Sequence, residues 1–313
     1  MKVAILGNKG LLGTCIERHL RSATGHECFG FDLPEIDISN KESITNALNK
    51  IMPEAVINCA AYSQVDRAEK EIESCFSANL IGVQNLAFWC LSNNALLFHF
   101  SSDYVFPGKD DSQYSEREEM NAQSVYGISK ELADRFLEAL ASKLKYYTFR
   151  ISLLFGPDGN NLIDTIIKLA QTSETLNMVC DQHSVPTYTQ SIANLIDMFL
   201  YNYGTDYQFD FGVYNAASFG GTTPLYLCYL VIYLYRKLGL KPELKVKNIM
   251  EITAEQWESI SKVKLAKRPT YSVLTTGKLK MALADNGINP RGFIRTFQEE
   301  VESYLVTKKE AEK

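Results

Sequence analysis

Short apolar runs alternate with helix-like segments through the first half of the chain. The apolar runs predict strands over 3–6, 27–31, 55–58, 95–101 and 146–151. The periodicity of the segments between them predicts helices over 12–21, 41–50, 72–91 and 125–144. Strands and helices in this order pair in parallel through right-handed crossovers. The predicted fold class is therefore α/β, with a doubly wound (Rossmann-type) parallel sheet whose ligands bind beyond the carboxyl ends of the strands.

The first predicted strand runs into a glycine motif that also opens the first helix, Gly7-Asn-Lys-Gly10-Leu-Leu-Gly13. Glycines here permit a tight turn, and the helix N-terminus offers N–H groups and a positive dipole to a pyrophosphate. An ordinary glycine-rich turn is the alternative interpretation. The candidate cofactor-binding residues of this motif are Gly7, Lys9, Gly10, Leu11, Leu12 and Gly13.

Acidic residues follow the second predicted strand. Asp32 follows the glycine motif by about twenty residues, the spacing at which a carboxylate can hydrogen-bond the adenosine ribose of a bound dinucleotide. This favours NADH, because the carboxylate would repel a 2′-phosphate. Lys9 favours NADPH, because a cation in the turn can accept a 2′-phosphate. We therefore expect NADPH or NADH as cofactor, with Asp37 and Ile38 on the adenine edge. A solvated loop acid is the alternative for Asp32.

Tyr126 and Lys130 lie one helical turn apart on the predicted helix over 125–144, so both side chains share one face. We expect Lys130 to lower the pKa of Tyr126, because a neighbouring ammonium favours the phenolate. Ser102 follows the fourth strand, where its hydroxyl can donate to a carbonyl oxygen while Tyr126 transfers a proton. The alternatives are solvated surface positions for the pair and a strand-ending turn for Ser102.

After residue 155 the alternation breaks, and clusters of Gly, Pro, Asn and Thr separate helices from isolated strands over 177–180 and 212–215. We predict a dinucleotide-binding domain over 1–155, to which segments around 179–217 return. A smaller, mainly substrate-binding domain is predicted over 156–313. The most hydrophobic stretch, 225–234, is too short to span about 30 Å of hydrocarbon and is interpreted as a buried helix.

Charge and cysteine usage exclude several function classes. The net charge of −5, without a basic arm or patch, predicts no nucleic-acid partner and no membrane partner. Seven scattered cysteines, none spaced as Cys-x-x-Cys, predict a reducing compartment with neither disulfides nor a zinc site. We predict no required metal. The strand at the N-terminus leaves no room for a signal peptide, so we expect a cytoplasmic location.

Further motifs follow in order along the chain: Ala60-Ala-Tyr-Ser-Gln-Val-Asp-Arg-Ala-Glu69, Ser101-Ser-Asp-Tyr-Val-Phe-Pro-Gly108, Tyr126-Gly-Ile-Ser-Lys130, Asp181-Gln182 with Pro186-Thr187, and Arg268-Pro-Thr-Tyr-Ser272. Together with the glycine motif they resemble the extended short-chain dehydrogenase/reductase superfamily. Within it, they are most similar to the dTDP-4-dehydrorhamnose reductase family, from residue 1 to about residue 300.

The resemblance implies NAD(P)H-dependent reduction of the C4 keto group of a nucleotide-linked 4-keto-6-deoxy sugar, in surface polysaccharide synthesis. It implies that Tyr126 donates the proton, that Ser102 holds the C4 oxygen, and that Lys130 also bonds the nicotinamide ribose. Beside the cofactor it places Ala60, Ala61 and Tyr62. Around the sugar it places Ser63, Val65, Asp103, Tyr104 and Arg268. A homodimer is among the expectations.

The chain departs from this family in the sugar region. Ile151-Ser152-Leu153 stands where the family usually has Thr-Ser-Trp, so an aromatic wall of the sugar pocket is missing. Two other functions stay open. One is a nucleotide-sugar 4-epimerase with the same Ser-Tyr-Lys set. The other is a non-catalytic, dinucleotide-binding regulatory subunit, resembling the beta subunit of methionine adenosyltransferase.

Overall fold

The computed structural model describes residues 1–22, 25–108 and 112–311. Its strands are β1 (Lys2–Leu6), β2 (Glu27–Phe31), β3 (Ala55–Asn58), β4 (Leu96–Ser102), β5 (Tyr146–Ile151), β6 (Leu154–Phe155), β7 (Thr175–Val179), β8 (Thr187–Tyr188), β9 (Gly212–Asn215) and β10 (Asn248–Ile252). Within the described residues, the main sheet has six strands in the order β2-β1-β3-β4-β5-β9. All of its pairings are parallel, which confirms the predicted doubly wound α/β class.

The described α-helices are α1 (Leu11–Ser22), α2 (Lys41–Ile51), α3 (Val65–Ala68), α4 (Ile72–Phe76), α5 (Gly82–Asn93), α6 (Val125–Ala139), α7 (Leu162–Thr172), α8 (Thr189–Asn202), α9 (Pro224–Lys237), α10 (Ala254–Ser261), α11 (Gly277–Asp285) and α12 (Phe297–Ala311). A π-helical turn, Ser77–Ile81, joins α4 to α5. Two 3₁₀ turns, Asp103–Val105 and Pro290–Gly292, complete the described helical structure.

Helices cover both faces of the main sheet. Successive side chains of a strand point to opposite faces, so each strand contributes apolar side chains to a core on each side. Val3 and Ile5 of β1 pack in a core with α1 and α8. Ala4 and Leu6 pack on the other side with α2, α5 and α6. The inner strands β1, β3, β4 and β5 are buried on both faces, and their sequences are therefore largely continuous apolar runs, as is usual for parallel strands.

A third core lies between α7, α9 and α12. Two small parallel sheets accompany it, β10–β7 and β6–β8. Strand β9 pairs with β5, and α8 packs on α1, so the chain between 189 and 215 contributes to the main sheet and its helical layer. The predicted domain limits at 155 and 156 stay a prediction.

Several predicted elements differ from the structure. The helix predicted over 125–144 ends at Ala139, because i→i+3 bonds of Leu140 tighten its last turn. The helix predicted over 72–91 is interrupted by the π turn. The strand predicted over 177–180 begins earlier, at Thr175. The predicted buried helix over 225–234 lies within α9, but one of its faces is exposed, with Tyr226 at 67% and Tyr233 at 62%.

Candidate active site

The glycine motif forms the turn between β1 and α1, and two of its glycines have no room for a side chain. Gly7 has φ +76°, and a Cβ there would lie 2.6 Å from the backbone nitrogen of Ala60. A Cβ on Gly13 would lie 2.1 Å from the carbonyl oxygen of Gly7. The turn is closed by the Gly10 N–H, which donates to the Gly7 carbonyl at 3.1 Å. The sequence therefore has glycine where the backbone must pack tightly.

A cavity of about 220 Å³ opens at the carboxyl ends of β1, β2 and β3. In this sheet, β2 lies on one side of β1 and β3 on the other, so the strand order changes direction between β1 and β3. Doubly wound folds bind their ligands at such a point. The predicted cofactor residues that line the cavity are Gly7, Gly10, Asp32, Asp37, Ile38, Ala60 and Ala61. Residues that the sequence reasoning missed also line it, namely Leu6, Phe31, Leu33, Ile36, Cys59 and Ala78. The cavity is thus mainly apolar, with carboxylates at one side.

The other predicted cofactor residues lie outside this cavity lining. Leu12 and Gly13 are buried inside α1, and Leu12 packs into the core under the sheet. Leu11 is partly exposed at the start of the helix. Lys9 is exposed, and its ammonium lies 3.7 Å from the carboxylate of Glu35.

The carboxylate of Asp32 closes the turn from the opposite side. It accepts the backbone N–H of Lys9 at 3.0 Å and that of Leu33 at 2.8 Å. Asp37 is occupied locally, because its Oδ1 accepts both the N–H and the hydroxyl of Ser39. These contacts leave an acidic rim on the cavity while Glu35 pairs with the Lys9 ammonium.

The segment after β3 is fixed by Asn79, a buried residue of the π turn. Asn79 Oδ1 accepts the backbone N–H of Tyr62 at 2.9 Å, and its Nδ2 donates to the Tyr62 carbonyl at 3.0 Å. The same Nδ2 donates to Ser129 Oγ of α6 at 3.0 Å. Asn79 therefore joins the predicted cofactor segment to the helix that carries Tyr126 and Lys130. The sequence feature that could have identified Asn79 is a polar residue within an apolar helical run.

Helix α6 begins at a cap that the sequence supplies locally. Ser124 is the N-cap, and its hydroxyl accepts the Gly127 N–H at 3.2 Å. A Cβ on Gly127 would lie 2.5 Å from the Tyr104 carbonyl, so glycine allows α6 to approach the end of β4. The rings of Tyr104 and Tyr126 meet edge to face, with centroids 5.7 Å apart. The Ser102 hydroxyl acts on the Tyr126 phenol, since a hydrogen bond from it favours the phenolate and lowers the Tyr126 pKa.

Ser102 and Tyr126 are thus close together and Lys130 lies one turn further along α6, but the electrostatics of these residues differ from the expectation. Burial raises the pKa of Tyr126, and the hydrogen bond with Ser102 only partly opposes that rise. Lys130 is 3% exposed and its ammonium donates to the carbonyl of Phe100 at 3.0 Å. The predicted lowering of the Tyr126 pKa was therefore wrong in direction, because loss of water around the phenol is the largest effect on that pKa.

Lys130 is itself perturbed. Burial lowers the pKa of its ammonium to about 8, and the carboxylate of Asp134, one turn further along α6, opposes that fall. Asp134 is fully buried and accepts a hydrogen bond from Arg150 Nε at 2.9 Å. A buried ionic group of this kind beneath a cleft is typical of functional sites.

Most predicted sugar-side residues gather around Tyr104. Burial raises the pKa of Tyr104 to about 12, and Arg268 opposes the rise. The guanidinium of Arg268 donates two hydrogen bonds of 2.8 Å to the two carboxylate oxygens of Asp66, next to Val65. Ser63 is exposed nearby in the chain. Asp103 is buried and bound to serine hydroxyls, and Asp66 is the partner that sequence reasoning missed.

No group of three or more His, Cys, Asp or Glu residues in the described part of the chain could hold a metal ion. Among the described helices, α9 included, none has both the length and the apolar character needed to cross a membrane.

The chain matches the model of the RmlD substrate binding domain family over residues 1–307. It is 30% identical to the dTDP-4-dehydrorhamnose reductase of Aggregatibacter actinomycetemcomitans, over 95% of this chain and 97% of that protein. It is 28% identical to the spore coat polysaccharide biosynthesis protein SpsK of Bacillus subtilis, over 95% and 96%.

Solved structures agree with these relatives. A crystal structure of a dTDP-4-dehydrorhamnose reductase from Clostridium acetobutylicum has a TM-score of 0.83 and 29% identity, covering 99% of this chain and 100% of that one. The dTDP-4-dehydrorhamnose reductase of Bacillus anthracis, in complex with NADP, has a TM-score of 0.82 and 26% identity, with coverage of 98% and 99%.

Proposed function

The chain belongs to the RmlD substrate binding domain family, and on that premise we propose that it is an NAD(P)H-dependent oxidoreductase that reduces the C4 keto group of a nucleotide-linked 4-keto-6-deoxy sugar. The substrate that the relatives' names support is dTDP-4-dehydrorhamnose, giving dTDP-rhamnose for surface polysaccharide synthesis. The single observation that carries the proposal is that Ser102, at the end of β4, acts on the phenol of Tyr126 in α6, while buried Lys130 lies one turn further along the same helix.

The residues around the turn fit a dinucleotide. Side chains at Gly7 and Gly13 would fill space that the backbone occupies, and the turn leads directly into the N-terminus of α1. The apolar cavity beyond it suits an adenine ring, and Asp32 lies where a ribose hydroxyl would bind. When bound, the reduced nicotinamide supplies a hydride for the C4 carbon of the sugar.

Tyr126 supplies the proton. Because burial raises its pKa, the phenol keeps its proton at neutral pH and can act as a general acid toward the C4 oxygen. The proton leaves the phenol oxygen as the carbonyl carbon gains the hydride, so the sugar gains a hydroxyl and Tyr126 becomes a phenolate. The ammonium of Lys130 on the same helix face stabilises that negative charge.

The experiment that tests the proposal follows the absorbance of the reduced nicotinamide with dTDP-4-dehydrorhamnose as substrate. We expect one cofactor oxidised for each sugar reduced. The matched control is dTDP-glucose, which lacks the keto group and should oxidise none. If the keto sugar causes no oxidation with either NADH or NADPH, the proposal is wrong.

The same experiment separates the two alternatives. A 4-epimerase converts its sugar without net oxidation of the cofactor, and a regulatory subunit converts nothing. The likeness to the UDP-glucose 4-epimerase of Thermus thermophilus, at 20% identity and a TM-score of 0.74, reflects the fold alone. The family match and the dTDP-4-dehydrorhamnose reductase that is 30% identical to this chain favour the reductase.

Location and assembly form part of the proposal. We place the enzyme in the cytoplasm, which the seven unpaired cysteines support. The expected homodimer is tested by light scattering of the purified chain, in which a mass of twice 35.3 kDa is the predicted result.

A further inference from the structure

The carboxylate of Glu35 is held against the acidic rim of the cavity. Its Oε2 accepts the backbone N–H of Asp32 at 3.2 Å and lies 3.7 Å from the ammonium of Lys9. The chain turns tightly here, because the Asp32 carbonyl accepts the N–H groups of both Glu35 and Ile36. Glu35 is thereby directed back onto the residue that follows β2.

Asp32 remains able to bind the ribose of NADH. Its Oδ2 accepts the Lys9 N–H at 3.0 Å and its Oδ1 accepts the Leu33 N–H at 2.8 Å, which is one backbone donor on each oxygen. An ionised carboxylate offers about four lone-pair sites, so each oxygen can accept a further hydrogen bond. A ribose hydroxyl needs only such an acceptor. NADH therefore requires no change in the contacts of Glu35.

A 2′-phosphate on the same ribose, as in NADPH, needs donors instead of acceptors. It is negatively charged, and proteins bind phosphate through cationic side chains and backbone N–H groups. At this rim the ammonium of Lys9 and the N–H of Asp32 are donors of these two kinds. Both already face the carboxylate of Glu35. Glu35 thus occupies the place of a bound anion.

The arginines of α1 are engaged elsewhere. Arg18 pairs with the carboxylate of Asp158. Arg21 donates two hydrogen bonds to Glu17, at 2.6 Å and 3.0 Å. Lys9 is the only basic residue of the glycine motif, Gly7 to Gly13. Its ammonium is therefore the cation that the turn offers to a 2′-phosphate.

We propose that Glu35 determines how the enzyme discriminates between its two cofactors, by occupying the donors that the 2′-phosphate of NADPH would use. NADH binds with the contacts of Glu35 intact, whereas NADPH binds only when Glu35 is displaced from Lys9 and Asp32. The inference rests on the proposed function, since it concerns the cofactor of that reduction. It adds a third residue to the opposing effects of Asp32 and Lys9.

The test compares ADP-ribose with 2′-phospho-ADP-ribose by isothermal titration calorimetry. The two probes differ only in the phosphate and carry no nicotinamide, so binding is measured apart from catalysis. Glu35→Gln keeps the size of the side chain and an oxygen that can accept the Asp32 N–H, but removes the charge. We expect this variant to bind 2′-phospho-ADP-ribose about tenfold more tightly than wild type, with an unchanged dissociation constant for ADP-ribose.

A second substitution tests whether Lys9 is the donor that Glu35 releases. In the Lys9→Gln background, the gain from Glu35→Gln should fall below about threefold, because no ammonium is left to bind the phosphate. A gain that stays at about tenfold in this background would show that Glu35 repels the phosphate without occupying Lys9. That result would overturn the inference.

Glu54→Gln is the matched control. Glu54 is exposed, as Glu35 is, and its Oε2 accepts the backbone N–H of Lys2 at 2.8 Å. Lys2 begins β1, at the opposite end of that strand from the glycine motif. This variant should bind both probes like wild type, which separates the loss of one surface charge from the loss of the charge beside Lys9.

The remaining results also decide the inference. An unchanged ratio of the two dissociation constants in Glu35→Gln would overturn it, and so would an equal gain in Glu54→Gln. Glu35→Ala should show the same gain, since it also frees the Asp32 N–H. A gain confined to Glu35→Gln would come from the new amide donors and would overturn the inference. Wild-type protein that binds both probes but reduces no keto sugar would instead contradict the proposed function alone.

Discussion

Removing the ammonium of Lys130 should stabilise the protein while it abolishes turnover. Lys130 is 3% exposed, and burial lowers its pKa from 10.5 to about 8. At about 1.4 kcal/mol for each pKa unit, keeping this group charged costs the folded state about 3 kcal/mol. Lys130→Met removes the charge and retains an apolar side chain of similar length. We expect the free energy of unfolding at neutral pH to rise by about 1 to 3 kcal/mol, less than the full cost because the Phe100 carbonyl loses its donor.

The stability difference between Lys130→Met and wild type should depend on pH. Below pH 8 the lysine is charged in both the folded and the unfolded chain, so the cost is fully present. Between about 8 and 10.5 the unfolded chain binds the proton more tightly, and wild-type stability rises relative to the variant. Above pH 10.5 the lysine is neutral in both states, and the advantage of the variant should disappear.

The assay is urea unfolding followed by tryptophan fluorescence, at neutral pH and above pH 10.5. Lys143→Met is the control. Lys143 is exposed just beyond the end of α6, so its removal should leave the free energy of unfolding unchanged. The reasoning is refuted if Lys130→Met is less stable than wild type at neutral pH. It is refuted equally if the stability difference is the same at both pH values.

Two further predictions concern the cofactor turn. Gly13→Ala should cost about 1 to 3 kcal/mol in thermal unfolding, since its Cβ would lie 2.1 Å from the Gly7 carbonyl, whereas Gly10→Ala, with 3.4 Å to the same atom, should cost less than about 0.5 kcal/mol. Equal losses in the two variants would contradict this. Asp32→Asn keeps the acceptor for the Lys9 N–H but removes a charge from the ribose site. Fluorescence titration should then show a shift of about tenfold in relative affinity toward NADPH, and an unchanged ratio of the NADH and NADPH dissociation constants would contradict that role.

Much of the nucleotide-binding half could be predicted from the sequence because its signals are local. The limits of β3, β5 and β9 match their predicted ranges, since short apolar runs between turn residues leave little choice of boundary. The glycine motif could be placed for the same reason. Gly7 and Gly13 lie where the turn and the first helix exclude any side chain.

Interactions between distant residues could not be predicted in this way. Ser152 and Ser272 reach Asp103 from far along the chain, and no periodicity marks either serine. The π turn at Asn79 depends on its bonds to Tyr62 and Ser129, which form only once β3 and α6 are adjacent.

The direction of the Tyr126 pKa was missed for a related reason. The spacing of Tyr126 and Lys130 shows that they share a helix face, but it gives no measure of how much water each loses. In the folded chain that loss dominates both groups, raising the pKa of the phenol and lowering that of the ammonium.

The central claim is that Tyr126 gives the proton to the C4 oxygen of a keto sugar, and Tyr126→Phe tests it most directly. The measurement is the rate of cofactor oxidation with saturating dTDP-4-dehydrorhamnose, beside direct titration of cofactor binding. We predict a loss of about 10²- to 10⁴-fold in kcat with cofactor binding close to wild type. Tyr226→Phe, at a position 67% exposed on α9, should keep the full rate. A Tyr126→Phe variant that turns over like wild type would contradict the account.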